Sequence, residues 1–147
     1  MNAVQHLLQE HEEIRKLFGQ FEEAGPRAYK KKQGIVEKVI EELKMHSLEE
    51  ERIFYPAMME KASKEAQDMV KEGIEEHRVA DFLMERLHTT QPEDETYDAK
   101  FKVLIESVEH HIKEEEKQIF PEAKKVLKDD LERMGAEMEA MEKQAGK

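Results

Sequence analysis

Apolar residues recur along this chain with a period near 100° per residue, the signature of amphipathic helices, and four long stripes follow one another. Residues 2–24 place Leu7, Leu8, Ile14, Leu17, Phe18 and Phe21 on one side of a first helix, with His11 in the middle of that side. His6 falls more than about a quarter-turn away and is expected in solvent. Gly25-Pro26 ends the helix, because proline disfavours helical geometry in the residue before it and cannot continue the hydrogen-bond ladder. A second helix, residues 28–61, carries Val36, Val39, Ile40, Leu43 and Phe54 on its stripe; His46 and Glu50 continue that stripe, whereas Glu49 and Glu51 fall off it. Pro56 predicts a kink or break near Phe54-Tyr55.

Ser63 is the expected N-cap of a third helix reaching residue 89, with Val70, Ile74, Ala80, Met84 and Leu87 inward and His77 central among them. Residues 90–96 form a turn. A fourth helix then runs to about residue 127, bent or interrupted at Pro121, with Phe101, Leu104, Ile105, Val108, Ile112 and Ile119 on one side. His111 and Glu115 lie within that arc and His110 points about a third of a turn away. Asp129-Asp130 opens either a short terminal helix to residue 144, with Leu131, Met134, Met138 and Met141 covering one edge, or a frayed tail.

The chain also repeats itself. Glu10-His11 with its following apolar residues matches Glu76-His77, and His46/Glu50 matches His111/Glu115, so the first two helices resemble the last two. The fold expected is an all-α, up-down-up-down four-helix bundle with an internal pseudo-twofold repeat and a short C-terminal helix. One domain accounts for residues 1–147, with a core over 4–127 and a C-terminal extension over 128–147. Helix rise brings His11, His46, His77 and His111 to one height, within a turn or two.

Composition narrows the chemistry. Charged residues are 40% of the chain and the formal net charge is −11, which argues against nucleic acid or an anionic membrane as partner. No apolar run approaches membrane-spanning length and no secretory pattern opens the chain, so a cytoplasmic protein is expected. Cysteine is absent, so a metal must be held by nitrogen and oxygen. A His and a Glu four residues apart share one helix face, and here that face is the apolar one. Buried carboxylates without compensation are costly, so they call for a positive charge or strong donors. His11, His46, Glu50, His77, His111 and Glu115 thus form a candidate ligand set for two borderline metal ions, iron foremost, with zinc or manganese as substitutes. The flanking glutamates of the Glu49–Glu51 and Glu114–Glu116 runs read as solvated faces, the methionines as gap-fillers, and Phe54, Ile119 and Phe120 as core. Tyr55 is either core or a hydroxyl near the centre. His6, His88 and His110 receive no role.

The twin segments His46-Ser47-Leu48-Glu49-Glu50-Glu51-Arg52-Ile53-Phe54-Tyr55-Pro56 and His111-Ile112-Lys113-Glu114-Glu115-Glu116-Lys117-Gln118-Ile119-Phe120-Pro121, together with His11 and His77, resemble the hemerythrin-like, or HHE cation-binding, family over residues 4–126. The resemblance implies a non-haem di-iron centre with those six ligands, the two glutamates bridging. It also implies binding or sensing of dioxygen or another small diatomic or oxidant, or a part in iron and redox homeostasis. Oxygen carriers of this family place a second His one turn after the third-helix His, where this chain has Asp81, and their last carboxylate five residues after the fourth-helix His, where it has Glu116. The departure favours sensing, iron handling or oxidation chemistry over oxygen carriage; Glu116 stands as the five-residue alternative to Glu115, and Asp81 either ligates or holds a ligand His from behind, the second being favoured. Two other classes stand beside this one: an enzyme consuming oxygen, peroxide or nitric oxide at the same site, and a metal-free helical adaptor. A sensor would pass its state to a separate protein partner, whose identity the sequence leaves open.

Overall fold

A computed structural model of the chain describes residues 1–146, all of whose regular structure is helical. Four rods build the bundle. The first is α1 (Ala3–Glu23), opened by an Asn2/Gln5 capping box in which each side chain accepts from the other's backbone N–H. The second is α2 (Tyr29–Glu49) continued by α3 (Tyr55–Lys61), the third α4 (Lys64–His88), and the fourth α5 (Tyr97–Glu114) continued by α6 (Phe120–Val126). Ser63 caps α4 by accepting from the Ala66 N–H. The pairs α1/α2 and α4/α5 pack as hairpins. No helix among the described residues is long and apolar enough to cross a membrane.

The expected kinks at Pro56 and Pro121 take a different form. The chain keeps right-handed helical angles through both places but widens into one π-helical turn, Glu50–Phe54 and Glu115–Ile119. Proline cannot donate to the carbonyl four residues back, and its ring crowds that carbonyl. Lengthening the ladder makes room, so the Tyr55 N–H reaches Glu50 O and the Phe120 N–H reaches Glu115 O, five residues back in each case. Tyr55 then returns over Glu50, to which its hydroxyl donates.

The core divides into two apolar layers. One is built around Leu7, Phe54, Met58, Val70, Ile119 and Met138, the other around Ile14, Val36, Leu43, Met84, Phe101 and Leu104. The candidate residues lie between them. Residues 131–144 form the helix α7 (Leu131–Gln144), which docks on α1 rather than fraying. Leu131, Met134 and Met138 are buried, while Met141 is only partly covered. Gly135 lets the two backbones meet, since a Cβ there would collide with the Met1 carbonyl.

Candidate metal centre

All six candidate side chains converge between the two layers, and all are buried. The π-helical turns aim Glu50 and Glu115 across the bundle, so that each carboxylate faces both halves of the repeat. On the first side, Glu50 Oε2 lies 3.4 Å from His46 Nε2, and Glu115 Oε1 lies 3.2 Å from His11 Nε2. On the second, Glu50 Oε1 lies 3.0 Å from His77 Nε2, and Glu115 Oε2 lies 3.5 Å from His111 Nε2. The imidazoles pair alike: ring centroids are 4.9 Å apart for His11/His46 and for His77/His111, with interplanar angles of 57° and 56°. His11, His46, Glu50 and Glu115 form one group able to hold an ion, and Glu50, His77 and His111 form another.

A second ring of carboxylates holds every imidazole from behind. His11 Nδ1 donates to Glu116 at 2.8 Å, and at 2.7 Å His46 Nδ1 donates to Glu10, His77 Nδ1 to Glu51 and His111 Nδ1 to Glu76. These bonds orient each ring and turn its Nε2 toward the centre. Arg15 clamps Glu116 through two N–H groups at 3.0 and 3.1 Å, and Arg78 clamps Glu51 likewise at 3.2 and 2.9 Å. The sequence-based assignment of Glu49, Glu51 and Glu116 to solvated faces is therefore corrected. Glu51 and Glu116 each follow an inward glutamate, and the widened turn keeps them close enough to reach an imidazole. Glu49 is fully buried.

Two further corrections concern histidine support. Asp81 is about half exposed and faces Arg78 at 3.7 Å, so the Nδ1 of His77 is held by Glu51 and not by Asp81. His6, expected in solvent, is buried because α7 closes over that flank of α1 and brings Glu142 within 3.1 Å of it.

Tyr55 is part of the centre. Its hydroxyl lies 2.6 Å from Glu115 Oε2, 3.1 Å from Glu50 Oε1 and 3.4 Å from His111 Nε2, and its ring stacks on His77. The matching ring in the other half is Phe120, which stacks on His11 without a hydroxyl. Space for the phenol comes from Gly73, where a Cβ would stand 2.9 Å from the Tyr55 oxygen. Leu7 holds the corresponding place in the first half of the repeat, so Gly73 against Leu7 was the available sequence signal.

Electrostatics match this geometry. Burial would lower His46 and His111, but the charges of Glu50 and Glu115 respectively, with hydrogen bonds donated to Glu10 and Glu76 among others, raise both well above the ordinary imidazole range. Burial would raise Glu50, as does the charge of Glu115, yet His46 and His111 hold it below the usual carboxylate range. Glu115 is held low against burial chiefly by the charge of His111. Burial and the two carboxylates push the Tyr55 phenol well up, which keeps it a donor. Even so, Glu50 Oε2 and Glu115 Oε1 are buried with no hydrogen-bond partner among the described residues, and buried carboxylate oxygens left in that state favour a cation. The donor set, all nitrogen and oxygen and arranged in two groups that share a carboxylate, fits borderline divalent ions.

Beside the centre lies a cavity of about 20 Å³, walled by Ile14, Leu43, Val108 and Ile112 and by the edges of His46, His77 and His111. That is enough for a molecule the size of water or a diatomic gas.

The comparisons with known proteins agree with this architecture. A search of curated protein sequences finds no significant match. Among solved structures, a hemerythrin HHE cation-binding domain-containing protein from Mycobacterium kansasii superposes with a TM-score of 0.83 at 24% identity, over 98% of this chain and 86% of that one. The family profile described as Hemerythrin HHE cation binding domain matches residues 2–123. With that match spanning most of its length, the chain belongs to the hemerythrin HHE cation-binding domain family.

Proposed function

We propose that this protein holds two non-haem iron ions between its four rods and uses them to bind or sense dioxygen, or to serve iron and redox homeostasis. His11 and His46 would hold one ion, His77 and His111 the other, with Glu50 and Glu115 between them; zinc or manganese can substitute. One observation carries the reading: each of the two buried carboxylates turns one oxygen to each histidine pair, and one oxygen of each lacks a hydrogen-bond partner among the described residues. Bound iron would supply electron-transfer chemistry toward dioxygen that protein side chains lack. The chain's own residues do the rest. Glu116, Glu10, Glu51 and Glu76 orient the imidazoles, the two apolar layers exclude bulk water, and the small cavity beside His46, His77 and His111 has room for a molecule the size of water or a diatomic gas. Asp81, turned outward, supplies no nitrogen where an oxygen carrier has one, which supports sensing or iron handling over carriage.

The test is metal analysis and anaerobic optical spectroscopy of the wild-type protein beside Glu50→Ala and Glu115→Ala. Wild-type protein is expected to hold iron and to gain oxygen-dependent charge-transfer absorption without turnover; each variant is expected to lose metal and thermal stability. Full metal content in both variants would refute the ligand assignment. A second reading, an enzyme consuming oxygen, peroxide or nitric oxide, draws on Tyr55, whose hydroxyl donates to Glu115 and lies 3.4 Å from the imidazole of His111. Catalytic turnover in wild-type protein that falls in Tyr55→Phe at unchanged metal content distinguishes it.

A further inference from the structure

We propose that His6, Glu10, Glu49 and Glu142 form a separate cation site, for a divalent ion of the manganese or iron type, at the junction of α1, α2 and α7. His6 Nε2 has three carboxylate oxygens close around it: Glu142 Oε1 at 3.1 Å, Glu49 Oε1 at 3.2 Å and Glu10 Oε2 at 3.2 Å. An imidazole nitrogen carries at most one proton and makes one good hydrogen bond, so it cannot satisfy three acceptors. Glu10 Oε2 shows the shortfall. It is buried, has no hydrogen-bond partner among the described residues and points into the cluster, on a residue only 6% exposed. Ligand atoms from all four residues lie within 4.8 Å of one another, a span one ion can gather with bonds of about 2.1 Å after small side-chain adjustments. One imidazole with three carboxylates suits manganese or iron better than calcium or magnesium, which favour oxygen alone.

The internal repeat supplies a comparison within the molecule. Glu76 and Glu114 occupy the positions of Glu10 and Glu49 in the second hairpin, where the repeat has no counterpart of α7. Their side chains are 25% and 31% exposed, so water can solvate them. At the first hairpin α7 leaves the same pair only 8% and 0% exposed and adds a third carboxylate, Glu142. Stacking carboxylates under a helix that carries another is unfavourable unless positive charge offsets theirs, and a divalent ion supplies more of it than the single imidazole of His6. Access comes from a surface cavity of about 270 Å³ lined by Glu13, Glu42 and Glu139 as well as by His6, Glu10 and Glu142, an acidic approach that concentrates cations. Glu10 also accepts from His46, so one carboxylate forms a wall common to this site and the central one.

The site does not depend on the central pair being iron, and the experiment separates the two. Metal-stripped full-length protein is titrated anaerobically with Mn²⁺, with free Mn²⁺ read by electron paramagnetic resonance and bound positions located by anomalous diffraction. Glu142→Gln and His6→Gln are each expected to lose one bound cation per chain relative to wild type, with the central peaks retained. A Glu50→Ala/Glu115→Ala double variant is expected to keep one cation, lost when Glu142→Gln is added. Unchanged stoichiometry in Glu142→Gln and His6→Gln, with no anomalous peak among His6, Glu10 and Glu49 in wild-type crystals, overturns the proposal and leaves the central assignment standing. A double variant that binds as much as wild type refutes the central assignment, and the peak at His6 then decides this one alone.

Discussion

Replacing Gly73 by alanine tests whether the Tyr55 hydroxyl is locked into the centre. In an open helical position this change is stabilising by up to about 1 kcal/mol, because glycine loses more backbone freedom on folding. Gly34 is such a position, with nothing within 4 Å of the place a methyl group would take, and Gly34→Ala should deliver that gain. At Gly73 the added Cβ stands 2.9 Å from the Tyr55 oxygen, 3.3 Å from His111 Cε1 and 3.4 Å from Tyr55 Cζ. The phenol has nowhere easy to go, since Tyr55 is 2% exposed and its ring is stacked on His77. Overpacking of this kind costs about 1–3 kcal/mol. The two effects together predict Gly73→Ala to be neutral to about 2 kcal/mol destabilising, measured by urea unfolding of the metal-free protein beside Gly34→Ala. The 2.6 Å contact from Tyr55 to Glu115 should lengthen, so the optical spectrum of the metal-loaded protein should shift toward that of Tyr55→Phe. In a Tyr55→Phe background the closest contact is gone, and the cost of Gly73→Ala should shrink, a coupling a double-mutant cycle reads directly. Equal stabilisation by Gly73→Ala and Gly34→Ala, with no coupling to Tyr55→Phe, would refute the reasoning.

Glu51→Gln and Glu116→Gln keep an acceptor behind His77 and His11 but remove its charge; each should weaken metal affinity about 10–100-fold with little change in metal-free stability, as competition with a chelator would show. The metal-free protein should lose stability as pH rises. His46 and His111 bind protons more tightly folded than unfolded, so their contribution is full below the ordinary imidazole value of 6.5 and fades as pH climbs through their raised folded values. Glu49, raised to about 8 chiefly by burial, acts in the same direction from 4.5 upward, while the depressed Glu50 and Glu115 lose their contribution as pH falls below 4.5. Thermal unfolding of stripped protein across pH should therefore show its maximum on the acid side of neutrality, and a maximum above about pH 8 would count against these shifts. Met138→Ala removes a fully buried α7 anchor and should cost about 2–5 kcal/mol, with amide exchange rising first in α7.

Periodicity was enough to place the inward faces, because His46 and Glu50, and His111 and Glu115, lie on stripes whose apolar members are buried. The glutamates behind the histidines were not legible that way. A helical period of 3.6 puts Glu51 and Glu116 off the stripe of their own helices, and they meet His77 and His11 on a neighbouring rod, a contact that no local pattern announces. The prolines were visible, but as predictors of a kink; whether a helix bends, breaks or widens depends on what the tertiary structure holds in place on either side. His6 and Glu49 escaped for another reason. Their burial comes from α7, an element distant in sequence whose docking rests on Gly135 meeting the chain start, and no local pattern in α1 or α2 announces it.

The repeat explains the symmetric half of the centre, and its breaks identify where the two halves can differ chemically. Four imidazoles backed by four carboxylates, two clamped by arginine, follow from duplicating one hairpin, so they alone would give two nearly equivalent ion positions. Tyr55 against Phe120 and Gly73 against Leu7 are compensating differences: the hydroxyl is added on the side where a side chain is removed to admit it. The position beside His77 and His111 is thus the more polar, with a protonated donor at its carboxylates, while the position beside His11 and His46 faces a phenyl ring. With an ion held at each position, a small ligand or an incoming electron would meet two unlike environments, and Tyr55→Phe is expected to bring them closer together.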